Sequence, residues 1–383
     1  MAWRTKGGYN CPADAFSPPP TLPATSPPPA IDTLRRIARE YGVRPVDDAP
    51  FAPLPLADQA LDADEEALKA KMSQLSYEVA AGEWRPIISG GEPVEAPRRF
   101  IDGSIFSRTV AVFTVEGMRR PCILACVGAL ALELDGRNLR RTPESMRVET
   151  VVCLLSNGMP DEHLRALGEA LSQMGVELVA SETAEVSADF EVLRHRCWDL
   201  AKGRMEEAER AVLLDRPDVP ALVDGLLERR LITVESQEMP AIGMVKRPGK
   251  QYLPASHLNL VYGLRPAERT PAFLLETKHA AVVSWYLRLS DAAMASPSYG
   301  IVRLSAPREY LERRFPRAEE RSQQISAVSR FLYDLRHRQG SYARAGISLE
   351  PIVRVEDELH AVLPQISQQV ARFHRALGLP GGR

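Results

Sequence analysis

Two short stretches place an acid directly after strand-like apolar residues: Arg98-Arg99-Phe100-Ile101-Asp102-Gly103-Ser104 and Val219-Pro220-Ala221-Leu222-Val223-Asp224-Gly225. A carboxylate just past a buried strand sits at the edge of a sheet, where the backbone is fixed and the side chain reaches solvent. Two such ends on adjacent strands bring two carboxylates together. Their repulsion raises one pKa unless a divalent cation neutralises the pair. Oxygen ligands of this kind suit Mg²⁺ or Mn²⁺. Asp-Gly is also a common turn dipeptide. Asp135-Gly136, followed by Arg137, Asn138 and Arg140, reads as a plain hairpin turn. Spacing alone leaves both readings of the Asp102/Asp224 pair open.

Other residues could join that chemistry. Glu206, Glu207 and Glu209 lie close together on a long helix expected over Phe190 to Leu214, whose Trp198, Met205, Ala208 and Val212 share one face. Glu209 falls near the stripe of Met205 and Val212, which could aim it inward; the alternative for each acid is a solvated helix face. Lys246, Arg247 and Lys250 form a basic cluster straight after a strand, suited to phosphate binding or charge stabilisation, or to a solvated loop. Tyr252 could stack on a base or pack in the core. Arg137, Arg140 and Arg141 are read as an exposed basic turn.

The elements that must position these residues are legible as periodicities. Strands are expected at Thr109 to Val115, Cys122 to Leu134, Val148 to Leu155, Val176 to Ala180 and Val219 to Val223, then at Ile242 to Lys246, Ala272 to Leu275, Ala280 to Leu289 and Tyr299 to Leu304. Helices are expected at Ile31 to Tyr41, Asp58 to Ala80 and His163 to Met174, around Ile325 to Leu335, and over Val355 to Leu377, where Pro364 marks a kink or fresh start. Strands followed by alternating helices and strands predict an α/β fold with a mixed sheet. Eight prolines between Pro12 and Pro29 predict an extended or flexible segment over 1–30. A helical region over 31–95 and a main domain over 96–383 follow.

The net charge of -2 excludes a protein that coats nucleic acid by bulk charge, though not a local basic channel. No charge-free apolar run approaches the ~20 residues of a membrane helix. The first ten residues lack the basic-then-apolar order of a signal peptide, so the expected compartment is the cytoplasm. The five scattered cysteines read as small core residues, with no zinc pattern. Neither GxxxxGK[ST] nor GxGxxG is present, so any ATP hydrolysis is expected of a partner.

Taken in order, the motifs resemble the NurA nuclease family. Ile101-Asp102-Gly103-Ser104 comes first, then Arg204-Met205-Glu206-Glu207-Ala208-Glu209 and Leu222-Val223-Asp224-Gly225-Leu226-Leu227. Gly243-Met244-Val245-Lys246-Arg247, Trp285-Tyr286-Leu287-Arg288-Leu289 and Glu356-Asp357-Glu358-Leu359-His360 follow, so the matching order runs from residue 98 to about 363. The resemblance implies a ribonuclease-H-like core with flanking helices and Mn²⁺-dependent cleavage of DNA, as 5′ to 3′ exonuclease and single-strand endonuclease. It also implies a homodimer docked on a HerA-type hexameric ATPase during end resection. In that reading two ions, Mn²⁺ or Mg²⁺, are held by Asp102, Asp224 and a helix glutamate. Glu207 fits the family's spacing to the second aspartate best. His360 becomes a base or metal ligand, and Lys246 a charge stabiliser. Arg247, Lys250 and Tyr252 become DNA contacts. Two alternatives remain: another metal-dependent phosphotransfer enzyme on the same core, and a catalytically silent nuclease-fold adaptor for a DNA motor.

Overall fold

The computed structural model describes residues 29–46, 75–183, 188–246, 252–277, 280–291, 297–338 and 347–380. The Pro-rich segment up to residue 28 and most of the helix expected from Asp58 lie outside the described residues.

Helix α1 (Pro29–Glu40) leads to the short strands β1 (Arg44–Pro45) and β2 (Ile87–Ile88). Two long strands follow, β3 (Arg99–Val115) and β4 (Met118–Asp135), joined by a two-residue turn at Glu116-Gly117. Both turn residues have positive φ, 51° and 80°, which matches the twist of the arms. Next come β5 (Asn138–Arg140), β6 (Met146–Leu155), α2 (Asp161–Ser172) and β7 (Glu177–Ser181). The long helix α3 (Phe190–Leu214) is started by Asp189, whose carboxylate accepts the Glu191 and Val192 amides. Then follow β8 (Ala221–Asp224), α4 (Val234–Gln237), β9 (Ala241–Val245), α5 (Ala255–Tyr262) and β10 (Glu268–Arg269). The chain continues through β11 (Phe273–Glu276), β12 (Ala281–Arg288), β13 (Ile301–Pro307), α6 (Arg308–Arg314) and α7 (Ala318–Asp334). It closes with α8 (Glu350–Val362) and α9 (Ile366–Leu377). Leu363, just before Pro364, has extended backbone, so the proline separates two helices.

All the strands join one mixed sheet, ordered β2-β10-β12-β13-β9-β8-β3-β4-β6-β7. β4 runs antiparallel to both β3 and β6. β8 runs parallel to β3, and β9 parallel to β8. β3 is long enough to take β8 along Arg99 to Ile101 and β1 at Ala111 and Val112. Both β1 and β2 come from the stretch expected to be helical, and both pair with strands beyond residue 95.

Helices cover both faces. On the front, α6, α7 and α8 pack over Phe100, Leu222, Met244, Trp285 and Leu304. On the back, α3 packs over Ile101, Val223, Ile105 and Val127, with α5 beside it. This explains why β4 is apolar almost without alternation: Arg120 to Leu132 is buried throughout, because neither face meets water. Cys122, Cys126, Cys153 and Cys197 are free, buried core residues. No helix among the described residues is long and apolar enough to cross a membrane.

Candidate metal centre on two parallel strands

β3 and β8 run side by side in register, Phe100 with Leu222 and Ile101 with Val223. The next residue on each strand is an aspartate. Asp224 ends β8 as expected, whereas Asp102, expected just past a strand, lies inside β3 opposite Leu130, because the pairing with β4 runs on through Gly103 and Ser104. Neighbours at one level of parallel strands share a face, and Phe100 and Leu222 both enter the front cluster. Asp102 and Asp224, two residues further along the sequence alternation, therefore lie together on the front. Each is 7% exposed. Asp102 Oδ1 accepts the Gly103 amide at 2.8 Å. Asp224 pairs in register with Met244 on β9, and Lys246 is two residues on, again on the front. The Lys246 Nζ lies 2.6 Å from Asp224 Oδ2, and both side chains are buried.

A second charged group lies behind this one. Gly103 faces α3, and a Cβ there would sit 2.6 Å from Glu209 Oε1. Glu209 is therefore pressed against the strand exactly where a side chain is missing, and it is 2% exposed. Its carboxylate forms an ion pair with the Arg230 guanidinium. That guanidinium lies against the other Asp-Gly glycine, with Nη2 3.6 Å from where a Gly225 Cβ would be. Gly225 has a φ of 99°, a left-handed conformation that glycine tolerates. Burial pushes the Glu209 carboxyl up to about 7; Arg230 opposes the rise, and Glu206 and Asp224 add to it. Burial alone would lower Arg230, but Glu209 and Glu206 outweigh it and hold it above its ordinary value.

Glu207, the helix acid expected from spacing, is not brought to the aspartates. Its side chain is 49% exposed, and Arg204 binds it at 2.7 Å while also holding Glu149 and Glu177. The reason is helical phase. Two residues turn through about 200°, so Glu207 and Glu209 point to opposite sides, whereas Glu206 and Glu209 share one. Glu206 meets Arg229 at 2.9 Å and Lys202 at 3.5 Å. The signal that favours Glu209 is the buried stripe of Met205, Ala208 and Val212.

His360 is exposed on α8, and its Nε2 is 3.1 Å from Ser104 Oγ, with the ring against Phe106 at 5.1 Å. Ser104 and Phe106 follow Asp102 on the same face of β3, so His360 lies on the front beside the aspartates' strand. Gly128 permits this approach: a Cβ there would lie 3.2 Å from Leu359 of α8 and 3.1 Å from Leu363 just after it. Tyr252, expected to meet DNA, is instead buried, with the Arg303 guanidinium 4.5 Å over its ring. An apolar ring with a buried cation to stack on gains more in the back core than in water. Arg247 and Lys250 lie outside the described residues. Asp135 and Asn138 pair across a tight turn at Gly136, and Arg140 meets Asp135 at 3.1 Å, both well exposed. That hairpin matches the expected plain turn.

Oxygen donors from two buried aspartates fit a hard divalent cation. Among the described residues, no group of three or more His, Cys, Asp or Glu side chains is arranged to hold a metal. Two further buried acids are tied to cations: Glu209 to Arg230, and Glu228 to Arg303 at 3.1 Å. Asp102 and Asp224 are the residues that would hold such an ion.

No family model matches this chain. No curated protein matches it. Among solved structures, the crystal structure of the NurA nuclease from Sulfolobus solfataricus is similar over 75% of this chain and 85% of that chain. The identity is 10% and the TM-score 0.37, so the function rests on the site itself.

Proposed function

We propose that this chain is a metal-dependent DNA nuclease of the NurA kind. One observation carries the reading: Asp102 within β3 and Asp224 at the end of β8 lie on one face of neighbouring parallel strands, with Lys246 on Asp224 at 2.6 Å. Two buried carboxylates on one face of neighbouring strands are costly unless cations balance them. The strand order supports the same reading. β6, β4 and β3 run antiparallel, and β8 and β9 then lie parallel to β3, the arrangement expected of a ribonuclease-H-like core.

In this reading Asp102 and Asp224 hold the divalent cation, Mn²⁺ or Mg²⁺. When bound, the ion supplies Lewis-acid polarisation of a phosphodiester and lowers the pKa of water. Lys246 places a fixed positive charge beside the same carboxylate, suited to charge that builds on the scissile phosphate. His360 offers a ring nitrogen on the front, oriented by Ser104. The 5′ to 3′ exonuclease and single-strand endonuclease activities, the HerA-type ATPase partner and the homodimer belong to this proposal and rest on the order of the sequence motifs.

The test is cleavage of end-labelled single- and double-stranded DNA with Mn²⁺, Mg²⁺ or EDTA, comparing wild type with Asp102→Asn and Asp224→Asn. Metal-dependent cleavage lost in both folded variants is the expected result. A second reading, the silent adaptor, is favoured by one fact: Glu209 and Asp224 each already hold a side-chain cation. It predicts no cleavage by the folded wild type, even with a hexameric ATPase present.

A further inference from the structure

Among the described residues, the acids and bases around the two aspartates fall into two sets, separated by the sheet. On the front are Asp102, Asp224 and Lys246, with His360 beside Ser104. On the back are Glu209 with Arg230, Glu206 with Arg229 and Lys202, and Glu228 with Arg303. Every acid of the back set has an arginine of its own, so the set has no carboxylate to spare. Glu209 is held on the far side of β3, filling the space at Gly103. To bind an ion with Asp102 it would have to abandon Arg230 and leave a buried guanidinium unpaired, which is strongly unfavourable.

We infer that the front holds one divalent cation and that the Lys246 ammonium occupies the place a second ion would take. The inference rests on the nuclease reading above and narrows it. Proximity supports it. A 2.6 Å contact puts the ammonium where a metal ion bridging to Asp224 Oδ2 would otherwise lie.

The experiment is a Mn²⁺ titration of the full chain, followed by the electron paramagnetic resonance of free Mn²⁺. It is run with and without a phosphorothioate-protected single-stranded oligonucleotide. One ion per chain is expected in both conditions, with Glu209→Gln unchanged. Lys246→Met removes the competing cation, so Mn²⁺ should bind roughly tenfold more tightly while cleavage falls. Binding and activity moving in opposite directions is not what a merely structural lysine would give. Two ions per chain in either condition, or weaker Mn²⁺ binding by folded Lys246→Met, overturns the inference and leaves the nuclease reading standing. The wild-type stoichiometry decides this even if the variant fails to fold. No Mn²⁺ binding, together with no cleavage, overturns the nuclease reading and this inference with it.

Discussion

Glu209 and Arg230 meet as a buried ion pair behind the two Asp-Gly pairs, the acid against Gly103 and the guanidinium against Gly225. Gly103 therefore has a packing reason, since a Cβ there would collide with the Glu209 side chain. Gly225 has a conformational one: its φ is 99°, while a Cβ there would meet Arg230 only at ordinary contact distance. The aspartates preceding them face the opposite way.

Gly103→Ala should destabilise the protein by about 1–3 kcal/mol, as overpacked sites do. The added methyl would collide with a carboxylate that burial and Arg230 hold in place. Gly136→Ala is the control, since nothing lies within 4 Å of its Cβ position and only its φ of 62° opposes the change. Urea unfolding of both variants checks the difference, and equal losses would remove the close-approach explanation.

Glu207→Gln should change stability by no more than about 0.5 kcal/mol and leave Mn²⁺ binding intact, because it removes a partly exposed member of an arginine cluster. Glu209→Ala should cost about 3–5 kcal/mol by stranding Arg230. Converting both Glu209 and Arg230 to Met should recover most of that loss. A double-mutant cycle measures the coupling, and additive losses would mean the two do not act as a pair.

Acid stability should depend on Glu78. Burial would raise its carboxyl, but two hydrogen bonds and the charge of Arg269, with Ser322 and the Ala272 amide, hold it below the usual 4.5. A depressed carboxylate contributes stability above its unfolded pKa and loses it as pH falls through the folded value. Glu78→Gln should be less stable than wild type at pH 7 by about 1.5–3 kcal/mol. The gap should narrow below pH 4.5. Melting of both proteins from pH 7 to 3 tests this, and a gap that stays constant would contradict it.

Gly128→Ala should loosen α8. Its Cβ would lie 2.9 Å from the Arg147 carbonyl and against Leu359 of that helix and Leu363 just after it. Amide exchange should quicken across 350–362 and remain unchanged in α3. Protection retained in α8 would show that the helix does not rely on that gap to seat His360 beside Ser104.

The strands and helices that build the sheet were legible because their periods are strong. The helix expected from Phe190 to Leu214 is α3, with those same bounds, and Pro364 does divide the closing helices. The two aspartates could be singled out because each ends an apolar run. The helix acid was harder: spacing along the chain favours Glu207, whereas rotation about the helix axis puts Glu209 inward. Tyr252 was harder still, since the partner that buries it, Arg303, lies far along the sequence. Both β1 and β2 are two residues long and leave no periodicity to read.

The pairing of β3 with β4 skips one residue, Val110, between Thr109 opposite Ile123 and Ala111 opposite Cys122. A bulge lets one arm of a hairpin carry an extra residue with pairing intact on either side. Length and chemistry are therefore separable in descent. A lineage that loses the Val110 codon, or regains one there, keeps the ladder from Thr109 down to Arg99 and inherits Asp102 on the same face. The same event between Arg99 and Asp102 meets no bulge in that stretch to absorb it. It would turn the aspartate over to the helix side, carboxylate against carboxylate with Glu209.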